Sequence, residues 1–439
     1  MATSGNGITA IPGFRCAQSG LRLLVGWVER ERNPSFVVVV GEWVSQELNP
    51  SYGLGARMKR IAVAAVLSIV AFPAFGQGPE NIKACGAPAA IDDGWQTDKP
   101  ENVGVDGARL CGIAARMTAI NANVHAVVVV RKGKLVYEHY SAGYDEPWGE
   151  PAGRYDFSAA SKHDMRSVSK SATSLLIGIA NDRKLIASAD EPVVKFFPEH
   201  AAVKSAGWDG ITIRHLLTMS SGMAWDENLP WTDPKNDEPH LGSEADPIRY
   251  VLSKPIAAPP STIWNYNGGG TDLLGSLIEH ASGKSFDVFA REALFEPLGI
   301  TDWEWKRYRN GKIAPAAGLR LRPRDAAKIG QLVLNRGAWK GQQIVSAGWI
   351  AESIAPRHQA IGFFGGLFFY GYQWWLGRTL SGDKEVTWVA AMGLGGQRVV
   401  IVPDLDLIMM TTSGAYASPR QGNAALEILY KFAIPAVEK

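Results

Sequence analysis

Strand-like runs lie towards the two ends of this chain and a helical stretch fills the middle, an arrangement that constrains the fold more than any other feature. Residues 124–130 and 135–140 are rich in β-branched and aromatic side chains and flank Arg131-Lys132-Gly133-Lys134, a hairpin pattern. Near the other end, residues 385–390, 398–402 and 407–412 repeat the strand pattern. Between them, residues 167–181, 212–219, 273–281, 285–295 and 324–335 have helical spacing, and amphipathic helices are expected at 108–120 and 424–432. Strands so far apart in the chain bury their faces by joining one sheet. The expected fold class is therefore α+β and two-lobed: an antiparallel sheet from 120–145 and 385–415 flanked by helices, plus a mostly helical lobe at 167–353. A long polar loop at 224–246, rich in Asp, Pro and Trp, is a candidate functional segment.

Upstream, Met58-Lys59-Arg60 precedes an uncharged apolar run at 61–75 that ends in Ala74-Phe75-Gly76. A basic start, a short apolar core and small residues before a cut are the marks of a signal peptide. The expectation is cleavage after Gly76, a lead-in at 77–107 and one domain at 108–439, with an uncleaved membrane anchor as the alternative. Residues 1–57 are then a doubtful upstream extension, with a possible strand at 36–40. Such a protein would be periplasmic or secreted from a bacterium, with no stable membrane insertion after cleavage. Of three cysteines, Cys85 and Cys111 fall after the cut and form an even pair open to a disulfide or to two free thiols. A net charge of +2 with scattered Lys and Arg argues against a nucleic-acid partner. Oligomeric state is not legible.

For chemistry, the chain lacks Gly-x-Ser-x-Gly, His-Glu-x-x-His and Cys-x-x-Cys, which leaves α/β-hydrolase and metal catalysis without a visible site and suggests no cofactor. Ser-x-x-Lys occurs twice. Ser381-Gly382-Asp383-Lys384 reads as a solvated turn. Ser167-Val168-Ser169-Lys170 instead opens an apolar helix, so positions i and i+3 put the Lys170 amine beside the Ser167 hydroxyl. Free N–H groups at the helix start favour an anionic oxygen there. A lysine in so apolar a helix needs a reason, and burial near other cations would lower its pKa enough for a general base. The eight histidines form no recognisable triad order with Ser167, and His215 and His280 read as structural. Gly268-Gly269-Gly270 lacks the Lys-Ser/Thr of a phosphate loop and suits a close backbone approach to a cleft.

Met165-Arg166-Ser167-Val168-Ser169-Lys170, followed by an apolar helix and Asp190-Glu191-Pro192-Val193, resembles the class C β-lactamase and penicillin-binding esterase superfamily. Residues 211–222, Trp264-Asn265-Tyr266-Asn267-Gly268, Leu273-Leu274-Gly275 and Gly393-Leu394-Gly395-Gly396-Gln397 continue the resemblance in order, over roughly residue 108 to the C-terminus. It implies a serine hydrolase with Ser167 as nucleophile, Lys170 as base, Tyr266 as proton relay, and the N–H groups of Ser167 and Leu394 as the oxyanion hole. It also points to Trp225, Asn267, Gly268 and Gly393 as substrate contacts, with Asp226 and Glu227 in the same loop as Trp225.

Two departures bear on substrate. Where β-lactamases carry Lys-Thr-Gly, this chain has Ala391-Met392-Gly393, and the asparagine of Tyr-x-Asn is Gly268. Both losses weaken recognition of an anionic β-lactam. The 6-aminohexanoate-dimer hydrolase group, which also lacks that lysine, is similar in carrying Thr-Asp after the tyrosine, here Thr271-Asp272. It likewise shares an aromatic run, here Tyr370-Gly371-Tyr372-Gln373-Trp374-Trp375. The expected partner is a small amide or ester. A true β-lactamase, a D-alanyl-D-alanine carboxypeptidase and a non-catalytic binder of the same fold are the alternatives.

Overall fold

The stretch Val-His-Ala-Val-Val-Val-Val-Arg at 124–131 shows no apolar–polar alternation, because both of its faces are covered. In the computed structural model, which describes residues 23–28, 35–40, 85–363, 366–416, 418 and 423–437, it is a strand buried at every position but the last. Helix α1 (Gly107–Ala119) precedes this strand, β1 (Val124–Arg131), which turns at Lys132 and Gly133, both at positive φ, into β2 (Lys134–Tyr140). Two successive left-handed residues match the twist of the strands they join. The chain then builds the helical lobe, including α2 (Val168–Asp182), α3 (Gly268–Ser282) and α4 (Pro323–Leu334). It returns as β3 (Trp375–Ser381), β4 (Lys384–Gly393), β5 (Gln397–Val402) and β6 (Leu407–Ser413).

Strands β3, β4, β5, β6, β1 and β2 are neighbours in that order in a nine-stranded sheet, all antiparallel. Short strands finish its edges: His358–Gln359 and Phe369–Tyr370 on one side, Gln96–Thr97 on the other. The period of two divides the sheet between two cores. Val128, Val130, Val399, Ile401, Ile408 and Met410 face α2 and α4, while Val127, Val129, Val400, Val402, Leu407 and Met409 face α1 and the C-terminal helix. The two-lobed α+β fold expected from the strand placement is the fold observed.

Three local expectations change. The helix expected at 273–281 begins at Gly268, because the Asn267 side chain accepts the Gly270 N–H at 2.9 Å and caps it. The three glycines are its first turn, and a Cβ on Gly269 would lie 2.6 Å from the Trp225 ring. The loop 224–246 contains a short helix, Asp237–Ser243, capped by Asn236. The helix at 285–295 changes pitch to a π turn at Arg291–Phe295.

The chain divides into two compact units, Met1–Gly76 and Gln77–Lys439. Within the first unit, Leu23–Val28 pairs antiparallel with Ser35–Val40, which includes the strand expected at 36–40. The stretch read as a signal peptide, 58–76, lies outside the described residues. Among the described residues no helix is long and apolar enough to cross a membrane. Cys85 and Cys111 are joined in a disulfide with Cα atoms 5.7 Å apart, tying the lead-in to α1.

Helix α2 runs through the middle of the lobe, buried from Val168 to Ala180. It has room for no side chain at Gly178, where a Cβ would sit 2.3 Å from the Trp349 indole. Gly178→Val is expected to destabilise the fold by about 3 kcal/mol through overpacking, read as a lower urea midpoint at unchanged slope.

Candidate active site

Ser167 is presented by a tight approach to α2. Arg166, immediately before it, has φ 49°, a left-handed conformation that costs energy for a residue with a Cβ. The turn is held on both sides: the Met165 N–H donates to Leu319 O at 2.8 Å, and the Ser169 hydroxyl donates to Arg166 O at 2.6 Å while accepting the Leu319 N–H at 3.0 Å. Ser167 is the N-cap of α2, and one turn on, Lys170 is 1% exposed. Its Nζ donates to Ser167 Oγ at 3.2 Å and to Ala316 O at 3.4 Å. Tyr266, just before α3, stands beside both: the lysine Nζ is 4.8 Å from its ring centre, and Ser167 and Lys170 each favour its ionised form. Trp264, Phe363, Tyr370 and Trp375 pack around that ring and fix it. The structure thus brings Ser167, Lys170 and Tyr266 together.

The opposite wall is the end of β4. A Cβ on Gly393 would lie 2.3 Å from Met165 O, so only glycine lets this strand reach the nucleophile turn. Leu394 follows in the turn to β5, which is braced by the Gln397 side chain donating to Leu394 O at 3.0 Å and Ser413 O at 2.7 Å. Among the described residues neither the Ser167 nor the Leu394 N–H donates to a protein acceptor. Ser167, Tyr266, Gly393 and Leu394 all line one cavity of about 1080 Å³. Gly393→Ala is expected to lower catalytic efficiency by about 100-fold, by pushing the Leu394 amide out of reach, and the ratio of variant to wild-type kcat/KM measures it.

The electrostatics correct one expectation. Lys170 was expected to lose proton affinity among cations, but its neighbours are acids. Burial pulls its pKa down, yet Tyr266, Glu227 and Glu238 outweigh burial and hold it above the ordinary lysine value. Tyr266 is itself raised, chiefly by burial, with Lys170 opposing. Glu238 is raised by burial and by the Glu227 charge. Asp272 is pushed from 3.8 up to about 7 by burial, against the nearby Tyr308 and a hydrogen bond from the Ala316 N–H. That Ala316 amide, 3.1 Å from Asp272 Oδ1, belongs to the residue whose carbonyl accepts Lys170, so Thr271-Asp272 acts on the lysine through Ala316.

The raised Asp272 has a defined sign. The folded state holds its proton up to about pH 7 and the unfolded state only to 3.8, so its contribution lowers stability as pH rises between these values. Asp272→Asn is expected to flatten that part of a stability–pH curve measured by urea unfolding.

Trp225, Asn267 and Gly268, proposed as substrate contacts, do not line the cavity. Trp225 is a core side chain whose indole N–H donates to Glu227 Oε2 at 2.8 Å, and the Gly268 N–H donates to the same oxygen at 2.5 Å. Asn267 is spent on capping α3 and donating to Asn265 O at 2.7 Å. Trp225 and Gly268 thus position Glu227, which does line the cavity. His215 closes a capping box with Thr212, and His280 packs on Phe197. Ser381 and Lys384 face each other across the β3–β4 turn, remote from the cavity lining.

Sequence reasoning missed Glu238, Trp148, Tyr308 and Arg398, all cavity residues. Arg398 had a legible signal, a charge in the apolar run Gln-Arg-Val-Val-Ile-Val. It is 4% exposed, its Nη1 donates to Gly393 O at 2.6 Å and Gln397 O at 2.7 Å, and burial lowers its pKa to about 10.

A family described as Beta-lactamase matches residues 113–430. The 6-aminohexanoate-dimer hydrolase of Paenarthrobacter ureafaciens is 23% identical over 333 residues, 70% of this chain and 77% of the relative. The Beta-lactamase of Escherichia coli K12 is 32% identical over 175 residues, only 40% of this chain and 41% of the relative. Among solved structures, a candidate 6-aminohexanoate-dimer hydrolase from Bacillus anthracis superposes with TM-score 0.59 at 23% identity, covering 73% of this chain and 80% of that one. The chain belongs to the β-lactamase family and is a serine hydrolase of that family.

Proposed function

We propose that this enzyme cleaves small amides or esters through an acyl-serine at Ser167. The observation that carries this reading is the Ser167–Lys170–Tyr266 cluster opening on a roomy cavity beside the free amides of Ser167 and Leu394. Ser167 Oγ bonds to the substrate carbonyl carbon as its proton passes into the Tyr266–Lys170 pair, and the oxyanion forms against the two amides. Collapse breaks the bond to the amine or alcohol, which leaves with the proton returned through Tyr266. Water then repeats the sequence on the acyl-enzyme. The pair serves as base once it has lost one of its two protons, since the surrounding acids favour the ammonium and burial favours the neutral phenol. Similarity to a 6-aminohexanoate-dimer hydrolase supports an amide substrate. Hydrolysis of p-nitrophenyl butyrate and of a linear amide dimer by the chain starting at Gln77 tests the reading, and inertness towards both would overturn it.

A β-lactamase is the second reading, favoured by the E. coli relative and by the Arg398 guanidinium at the cavity, a cation near the missing lysine. Arg398 is tied to two carbonyls, and Met392 occupies the motif position of the threonine. Nitrocefin turnover is therefore expected below about 10⁴ M⁻¹s⁻¹, and a higher value measured by absorbance favours the second reading. We also propose export, on the strength of residues 58–76. N-terminal sequencing of protein from a Gram-negative host should find Gln77 first.

A further inference from the structure

A deeply buried polar cluster outside the acyl-transfer site joins three segments. His125 on β1, Asp145 on the short strand Gly143–Asp145 and His163 on the short strand His163–Asp164 are 0%, 2% and 1% exposed. Their outer partners fix their protons. The Asn123 amide cannot flip: its Nδ2 donates to Tyr144 O at 2.7 Å while its Oδ1 accepts the Tyr144 N–H at 3.1 Å. That same Oδ1 faces His125 Nε2 at 3.1 Å, so Nε2 carries the hydrogen. His163 Nδ1 faces Asp164 O at 3.0 Å, so Nδ1 carries the hydrogen there. What remains is His125 Nδ1 and His163 Nε2, two bare lone pairs 2.9 Å apart, with Asp145 Oδ2 3.4 Å from the latter.

Lone pairs brought together in a dry interior repel, and a cation between them relieves the repulsion. A captured proton would answer only the histidine pair and would leave the Asp145 carboxylate outside it. A dication answers all three donors.

We propose that His125 Nδ1, His163 Nε2 and Asp145 Oδ2 bind one divalent transition-metal ion, zinc being the best match to this donor set. The three atoms lie within 4.8 Å of one another. Metal–nitrogen bonds of about 2.0–2.1 Å need the nitrogens only a few tenths of an ångström further apart than they stand. Two imidazoles disfavour magnesium and calcium. Each ligand also has an outer partner that aims it: Asn123 for His125, Asp164 O for His163, and the Tyr416 hydroxyl, which donates to Asp145 Oδ1 at 2.9 Å. Phe157 stacks on the His125 ring at 4.1 Å and holds its plane. A water would complete a tetrahedral shell. The ion's role is structural. It would pin β1 to the strand His163–Asp164, from which the chain runs through Met165 and Arg166 into Ser167.

The test uses the full-length chain, its metal content by mass spectrometry after gel filtration, and the chelator-treated protein titrated with zinc chloride or cobalt chloride. The expected result is about one metal ion per chain, visible d–d bands of tetrahedral cobalt, and a melting temperature raised by several degrees on adding zinc. Asp145→Asn, which keeps the shape, and His163→Gln should each lower zinc affinity by at least about 10-fold. If chelator-treated wild type shows neither cobalt bands nor a zinc-induced melting shift, the proposal is overturned, whatever the variants do. None of these readings depends on hydrolase activity.

Discussion

Ser167→Ala is expected to reduce kcat for p-nitrophenyl butyrate by about 10⁴-fold or more while the protein keeps its melting temperature. The size follows from the geometry. Ser167 Oγ accepts from Lys170 Nζ with Tyr266 alongside, near two amides that donate to no acceptor among the described residues. Removing that oxygen leaves the polarising amides and the binding cavity, but no atom to form the acyl-enzyme. Stability should hold because Ser167 caps α2 through its backbone, with no side-chain hydrogen bond to the helix. A fluorophosphonate probe followed by intact-mass measurement should add one label to wild type and none to the variant. Equal activity in the two proteins would place the nucleophile elsewhere.

Lys170→Met is expected to cost about 10³-fold or more in kcat, with a larger effect on stability than Ser167→Ala. Methionine fills the lysine's volume without its charge, so Tyr266, Glu227 and Glu238 would face one another uncompensated. Breaking a buried charge cluster by removing one sign costs about 3–5 kcal/mol. The pH profile reports the base. Lys170 and Tyr266 are both held above their ordinary values, so the pair must lose one proton before it can take that of the serine, and wild-type kcat/KM is expected to climb nearly tenfold per pH unit from about pH 7 to 9. A flat profile over that range would place the base elsewhere. Tyr266→Phe should also lose about 10³-fold, while its packing against Trp264 and Trp375 survives.

How much of this was legible beforehand follows from which interactions are local. The nucleophile and its lysine share one helical turn, so the i, i+3 spacing by itself placed the Lys170 amine at the Ser167 hydroxyl. The sheet was legible too, since continuous apolar runs at both ends of the chain have no other way to bury two faces. Tyr266 and Leu394 were reached only through ordered motifs resembling a family. They meet Ser167 because α3 packs on α2 and β4 ends against Met165, contacts between residues far apart in sequence.

The failures have the same root. The proton affinity of Lys170 was misjudged because its sign depends on which charges fold around it, and these come from a loop 57 and 68 residues further on, at Glu227 and Glu238. Trp225, Asn267 and Gly268 sit in the right segments but do not line the cavity: two of them bond to the Glu227 carboxylate, and Asn267 caps α3. The histidine–aspartate cluster spans three strands with no spacing pattern at all. Sequence determined the elements and the reacting pair, because those rest on periodicity and on neighbours within one turn. Charge states, cavity walls and converging lone pairs were decided only by the tertiary structure, since each is a property of the distances between separate elements.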